Sequence, residues 1–376
     1  MAGVYIHIPF CKSRCTYCDF YSTVGPLVSD SFIETLCKEI RLRKDYLDGE
    51  QVETIYFGGG TPSLLQIDQV DKIIKALHSV FKVAKYVEVT LEANPDDLSD
   101  SYLSSLKRVG VNRLSIGIQS FEDAELELMA RRHGAKRAED AVYSAYNAGF
   151  ENISLDLIYG LPNSNQELWK KSLARLLALE PEHISAYHLT YEEGTSLHNR
   201  LKKDEIKAID EKVSKNQFLQ LQDMTSSKGY IQYEISNFCL PEKESKHNSN
   251  YWNNKAYIGF GPAAHSYNST SRQWNVSNLD LYVKNINEKK LFYESEDLTK
   301  KDLFNEYILT RLRTAKGADL SYIEKNFGSF YIDSLHKNAQ KYLDSRKLIV
   351  KNSRLMLESS SFFISDSIIS NLMIID

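Results

Sequence analysis

From residue 4 to about residue 190, short runs rich in β-branched and aromatic residues alternate with longer amphipathic ones, the pattern of βα units around a parallel sheet. Six strands are expected: Val4 to Ile8, Thr54 to Phe57, Val87 to Leu91, Arg113 to Ile118, Ile153 to Ile158 and Ile184 to Leu189. The intervening helices carry their own punctuation. Ser99 precedes a helix over Tyr102 to Val109 that Gly110 ends, and Gly149 stops another over Lys136 to Ala148. Six units are too few for a complete eight-stranded barrel.

Three cysteines follow the first strand with the spacing Cys11-x-x-x-Cys15-x-x-Cys18, beside Tyr17 and Phe20. A four-iron cluster held by cysteine alone needs four thiolates. The remaining cysteines, Cys37 and Cys239, are isolated in sequence, so one iron is expected to stay open to a ligand. A zinc knuckle or three unrelated thiols is the alternative, although zinc is more often bound by paired Cys-x-x-Cys or Cys/His sets. An odd number of cysteines, three of them clustered, fits a reducing compartment better than a disulfide framework.

The cysteine spacing resembles the signature of the radical S-adenosylmethionine (SAM) enzymes. That resemblance implies an open (β/α)6 partial barrel and a 4Fe-4S cluster on Cys11, Cys15 and Cys18. Its open iron would chelate the methionine part of SAM, and an electron from the reduced cluster would cleave the sulfonium to a 5'-deoxyadenosyl radical. The cofactor does the hard chemistry and the protein orients it.

Further motifs fall at strand ends, where barrels of this kind keep their active residues. Gly58-Gly59-Gly60-Thr61-Pro62 lacks the Lys-Ser/Thr ending of a phosphate-binding loop. In the resembled family such a segment binds the amino group of SAM, and a tight strand-to-helix turn is the plain alternative. Glu92, Gln119 and Asp156 interrupt or end apolar strands. Polar groups are costly to bury unpaired, and ribose hydroxyls or the SAM carboxylate would serve as partners. Arg131 is the expected carboxylate clamp, its neighbour Arg132 being the alternative. Each of these polar residues, taken singly, also suits a capping or salt-bridge role.

These motifs, with Tyr5-Ile6-His7-Ile8-Pro9-Phe10-Cys11, resemble one branch over nearly the whole chain: oxygen-independent coproporphyrinogen III oxidase and the haem chaperones related to it. The resemblance adds Tyr5 to Gly58, Gly59, Thr61, Glu92, Gln119, Arg131 and Asp156 as cofactor-binding residues. The oxidases carry a fourth cysteine where this chain has Phe20, and a longer N-terminal extension than the ten residues before Cys11. Both departures favour the chaperones. His247-Asn248-Ser249-Asn250-Tyr251-Trp252 matches the His-Asn-x-x-Tyr-Trp motif of that group and makes His247 a haem-ligand candidate, with Tyr251 and Trp252 to cover a porphyrin face. A neutral imidazole is a common haem ligand. His265 and Cys239 are rivals, and a surface-loop role is the alternative for His247. No Cys-x-x-Cys-His attachment motif is present, so a non-covalent or single-bond haem complex is expected.

The expected function is a haem chaperone that accepts haem and passes it to a respiratory or storage haem protein, with SAM binding retained and an electron donor for the cluster. The catalytic alternative is oxidative decarboxylation of coproporphyrinogen III. RNA modification is a third reading, but with 46 Lys and Arg against 50 Asp and Glu there is no electrostatic footprint for nucleic acid. The N-terminus shows no secretory signal pattern, and no apolar run is long enough to span a bilayer, so a cytoplasmic protein is expected. Peripheral membrane association and homodimerisation stay open. The expected organisation is a partial barrel over 1–229, with a long charged helix over Asp204 to Ser227 at its end. A connecting segment over 230–290 reads as irregular or short-stranded. A winged-helix-like α+β accessory domain over 291–376 would hold helices Asp302 to Leu312 and Phe330 to Leu343 and a hairpin-like end, Lys347 to Leu357.

Overall fold

The computed structural model describes residues 1–25 and 28–375. The six expected strands form: β1 (Ala2–Ile8), β2 (Val52–Gly59), β3 (Val83–Ala93), β4 (Arg113–Gln119), β5 (Ile153–Tyr159) and β6 (His183–His188). They lie side by side in chain order, each parallel to the next. A seventh parallel strand, β7 (Tyr257–Phe260), joins on the far side of β1. It lies outside the stretch of six βα units and adds to them. Four residues with no flanking amphipathic helix give too weak a signal to be read as a parallel strand, and β7 is held by its neighbour rather than by its own pattern.

Both edges are then extended by antiparallel strands to a twelve-stranded sheet. Asn237–Cys239 and Ile231–Gln232 lie beyond β6, and His265–Tyr267, Ser271–Asn275 and Tyr293–Asp297 beyond β7. The segment over 230–290 is therefore woven into the barrel sheet, which runs past residue 291. The expected helix from Asp204 is shorter than its charge pattern suggested. It spans Glu211–Ser227 behind the cap of Asp210, whose side chain accepts from the Lys212 and Val213 backbone N–H groups.

Strand alternation sorts the two faces of the sheet. Val4, Ile6 and Ile8 of β1, Ile55 and Phe57 of β2, and Leu114, Ile116 and Ile118 of β4 are fully buried in the apolar core. The opposite face carries Tyr5 and His7, Thr54 and Tyr56, Glu88, Thr90 and Glu92, Arg113, Ser115 and Gln119, then Ser154 and Asp156. The barrel interior is thus polar, unlike the aliphatic layers that fill closed eight-stranded barrels.

The C-terminal region runs helix Lys300–Leu312, strand Ala318–Asp319, helices Leu320–Phe327 and Ser329–Asp344, then strands Leu348–Lys351 and Arg354–Leu357. Its three strands form a separate antiparallel sheet, in the helix-strand-helix-helix-strand-strand order of a winged helix. The chain then doubles back through a 3-10 turn, Ser359–Ile364, and helix Ser365–Leu372, which bring Phe362, Phe363 and Asp366 to the mouth of the barrel cavity. No helix among the described residues is long and apolar enough to cross a membrane.

Candidate functional site

A cavity of about 960 Å3 opens at the C-terminal ends of the barrel strands, and Cys11, Cys15 and Cys18 all line it. The cysteine loop is tied down from several sides. Phe10–Cys11 pairs with Thr23–Val24, the Thr16 N–H donates to the Met129 carbonyl, and the Leu197 N–H donates to the Thr16 carbonyl. The Cys11 sulfur accepts from the Thr61 hydroxyl at 3.4 Å and the Cys15 sulfur from Arg131 Nη1 at 3.3 Å. All three thiols are free and half-buried.

Among the described residues no three Cys, His, Asp or Glu side chains converge on a point where one metal ion could sit. A zinc at about 2.3 Å from each of three sulfurs would require such convergence. A four-iron cluster takes each thiolate on a different iron and holds the sulfurs apart. Three cysteine thiols gathered at one end of the cavity are a donor set that an iron–sulfur cluster can use. Burial pushes the Cys18 thiol up to about 11, with smaller upward pushes from Cys15 and Cys11, so loading a metal here must displace a proton.

The Gly58–Pro62 turn follows β2 directly. Gly59 has φ +106°, and a side chain there would overlap the His7 ring, while a Cβ on Gly60 would lie 2.7 Å from the Phe10 carbonyl oxygen. Only glycine lets this turn run against the cysteine loop. Gly59, Gly60 and Thr61 line the cavity, whereas Gly58 lies outside its lining. Tyr5 does too: its ring stacks on Tyr56 at 6.2 Å and its hydroxyl meets His7 Nδ1 at 3.2 Å. Tyr5 and Gly58 stand directly behind the lining residues Tyr56 and Glu92.

Glu92, Gln119 and Asp156 line the cavity on three successive strands. Gln119 has φ +71° where the β4–β5 register slips. This bulge turns a residue that would otherwise continue the ladder. Glu92 accepts from the Tyr56 hydroxyl at 2.8 Å, and Asp156 from the Ser115 hydroxyl at 3.1 Å and the Ser154 hydroxyl at 3.2 Å. Burial raises Glu92 to about 7 and Asp156 to about 6 despite these bonds.

The two adjacent arginines separate cleanly. Arg132 ion-pairs with Asp97 at 3.0 Å. Arg131 donates to Cys15 and to the Gly117 carbonyl, and its buried Nε has no partner. An orphaned donor beside the cysteines suits a carboxylate ligand.

The folded-state values of Glu92 and Asp156 lie above the ordinary 4.5 and 3.8, so the native state keeps protons that the unfolded chain has released. Stability is then fully present below about pH 4 and declines as pH rises toward about 7. Thermal melts of the ligand-free protein should show this decline, on the order of a few degrees, and the double variant E92Q/D156N should flatten it. An equally steep decline in that variant would place the titrating group elsewhere.

The three haem-ligand candidates are not among the residues that line this cavity. His247 is 1% exposed on the short helix Lys246–Trp252. Its Nδ1 bonds the Thr54 hydroxyl and its Nε2 the Tyr251 hydroxyl, both at 2.8 Å, and burial lowers it to about 3. The same helix places its first backbone N–H groups on the Glu88 carboxylate and Asn250 on Thr54. The His-Asn-x-x-Tyr-Trp segment therefore plugs the N-terminal end of the barrel. Cys239 is also 1% exposed and raised to about 12 by burial, and His265 stacks on Trp274 at 6.2 Å.

His188 is the histidine that does line the cavity, edge-on to Tyr159 and Phe363, with Nε2 against the Ser214 hydroxyl. It was missed, as were Arg113, Ser115 and Tyr187. Arg113, Ser115 and Gln119 fall at odd positions of one strand, a period-two polar stripe that announces an inward face. Phe362 and Phe363 give no such signal, because only the tertiary return of the C-terminus brings them to the cavity.

A model of the radical SAM superfamily matches residues 5–176. The chain is 32% identical to the heme chaperone HemW of Lactococcus lactis subsp. lactis, over 100% of this chain and 98% of that protein. It is 35% identical to the Bacillus subtilis heme chaperone HemW, over 93% of each. Among solved structures, coproporphyrinogen III oxidase (HemN) from Escherichia coli aligns with TM-score 0.86 over 99% of this chain and 90% of that one. Its identity of 21% carries the fold alone.

Proposed function

Because the chain belongs to the HemW family of the radical SAM superfamily, we propose that it binds haem and delivers it to haem proteins, with a SAM-binding 4Fe-4S cluster on Cys11, Cys15 and Cys18. The observation that carries this reading is the cavity itself. At about 960 Å3 it reaches the upper end of the range for ligand sites, and it extends beyond the thiols and the strand-end polar groups to Tyr159, Tyr187, His188 and Phe363.

Around the cysteines, Gly59 and Thr61 would hold the SAM amino group, Arg131 its carboxylate, and Glu92, Gln119 and Asp156 its hydroxyls. Tyr5 and Gly58 would act from behind, since a Cβ on Gly58 would meet Tyr5 at 2.9 Å and the Glu92 carboxylate at 3.0 Å. When bound, the cluster supplies an electron to SAM. The far half of the cavity would take the porphyrin between aromatic walls, with His188 as the imidazole within its reach.

The test is an anaerobic titration of cluster-loaded protein with haem, followed by transfer to an apo haem protein. Saturable binding near one haem per chain, weakened severalfold in His188→Ala and followed by transfer, is expected. No binding sinks the proposal, and oxidation of coproporphyrinogen III in place of binding would move the protein to the catalytic branch.

A further inference from the structure

Arg113 opens β4 at the floor of the barrel and is 1% exposed, yet it lines the cavity. A guanidinium stays charged at any physiological pH, and a buried charge without a partner is costly. Arg113 nevertheless makes no ion pair and no side-chain hydrogen bond among the described residues, and its Nε is an orphan. The two nearby carboxylates feel its charge, but their hydrogen bonds come from other donors, Asp156 from the Ser115 and Ser154 hydroxyls and Glu92 from the Tyr56 hydroxyl. Arg131, which also lines the cavity, donates to Cys15 and to the Gly117 carbonyl; Arg113 makes no such bond to the wall and faces the cavity.

We propose that Arg113 is the carboxylate-reading group of the porphyrin site, binding a propionate arm that reaches down to the barrel floor. The inference rests on the haem-binding reading and names the part of the ligand that is recognised. Guanidinium pairs with carboxylate through two parallel N–H···O bonds, and the Ser115 hydroxyl, two positions along the same strand, lines the same cavity. The SAM carboxylate is a poor fit. Six residue steps lead from Arg113 to Gln119 along β4, roughly 20 Å of extended strand, and the cysteines and Arg131 stand at the Gln119 end.

Haemin and its dimethyl ester share iron and macrocycle and differ only in whether the propionates are free, so the pair isolates this contact. The cluster-loaded wild type should bind haemin roughly 10- to 100-fold more tightly than the ester, the range for a buried charge-assisted contact. Arg113→Met should bind both within about twofold of each other, Arg113→Lys should keep part of the preference, and SAM binding should be unchanged in either variant. A preference undiminished in Arg113→Met, or absent from the wild type, overturns the assignment. A loss of SAM affinity in step with the loss of preference overturns it in favour of the SAM carboxylate. If the wild type binds neither porphyrin, the haem-binding reading itself fails. Should Arg113→Met not fold, Arg113→Lys against the wild type decides, because lysine keeps the charge and loses the bidentate geometry: an undiminished preference there overturns the assignment.

Discussion

Alanine at Cys11, Cys15 and Cys18 together is expected to abolish cluster assembly while leaving a folded protein. After anaerobic reconstitution with iron and sulfide, the wild type should hold close to four irons per chain and a broad visible absorption, as a four-iron cluster requires, and the triple variant almost none. The fold should survive because the loop is anchored by backbone contacts, Thr16 to Met129 and Leu197 to Thr16, rather than by its thiols. The cysteines are half-buried, so their loss opens little apolar cavity. Single variants should behave almost like the triple, since two thiolates hold a four-iron cluster poorly. Full iron content in the triple variant would show that the metal is held elsewhere. Haem transfer measured in the same variant separates two roles. If transfer proceeds as in the wild type, the cluster does not gate haem release.

The second large effect is on stability. His247→Ala removes an imidazole whose two nitrogens satisfy Thr54 and Tyr251 inside a fully enclosed site. It also removes the ring that stacks on Tyr56 at 4.9 Å. Two buried hydroxyls lose a partner and a cavity opens, which should cost about 2–4 kcal/mol. Urea unfolding of the apo protein measures this directly. Variant protein that remains folded should still bind haem, because His247 presents no free nitrogen to the cavity. Unchanged stability combined with lost haem binding would return His247 to the role of ligand. Tyr56 also carries the effect upward, since its hydroxyl holds Glu92, so a modest weakening of SAM binding should accompany the stability loss.

The parts of the molecule that were legible in the sequence are those in which local pattern and tertiary role coincide. β1 to β6 were readable because each has an apolar face buried against helices and is long enough to show it. The helix over Asp100–Arg108 was readable from Ser99, whose side chain accepts from the Tyr102 N–H, and from Gly110 at φ +100°. The cysteine loop and the glycine turn were readable because their residue types have few other uses at that spacing.

What stayed hidden depends on long-range placement. β7 has four residues and pairs with a strand about 250 positions away. Histidine, tyrosine and tryptophan together suit a porphyrin, and the His247 and Tyr251 side chains also close a barrel whose interior is polar. A hydrogen-bonded histidine can span from Thr54 to Tyr251 where an aliphatic residue would strand both hydroxyls. Arg113 was passed over because an arginine at the start of a strand is usually at the surface. Its burial comes only from the curvature of the sheet around it.

The pairing of β1 with β7 has a consequence for synthesis. β1 is among the first residues to leave the ribosome, and β2 follows about 50 residues later, but the other edge of β1 stays uncovered until Tyr257–Phe260 has been made. An apolar strand with an open edge is a site for wrong pairing with other chains. The cysteines begin three residues after β1 ends, and the plugging helix that closes the barrel beneath them precedes β7 by only a few positions. Assembly of the metal site is thereby tied to a late event in the life of the nascent chain. A polypeptide cut short before residue 257 would carry all three cysteines and still lack the strand that covers the outer edge of β1.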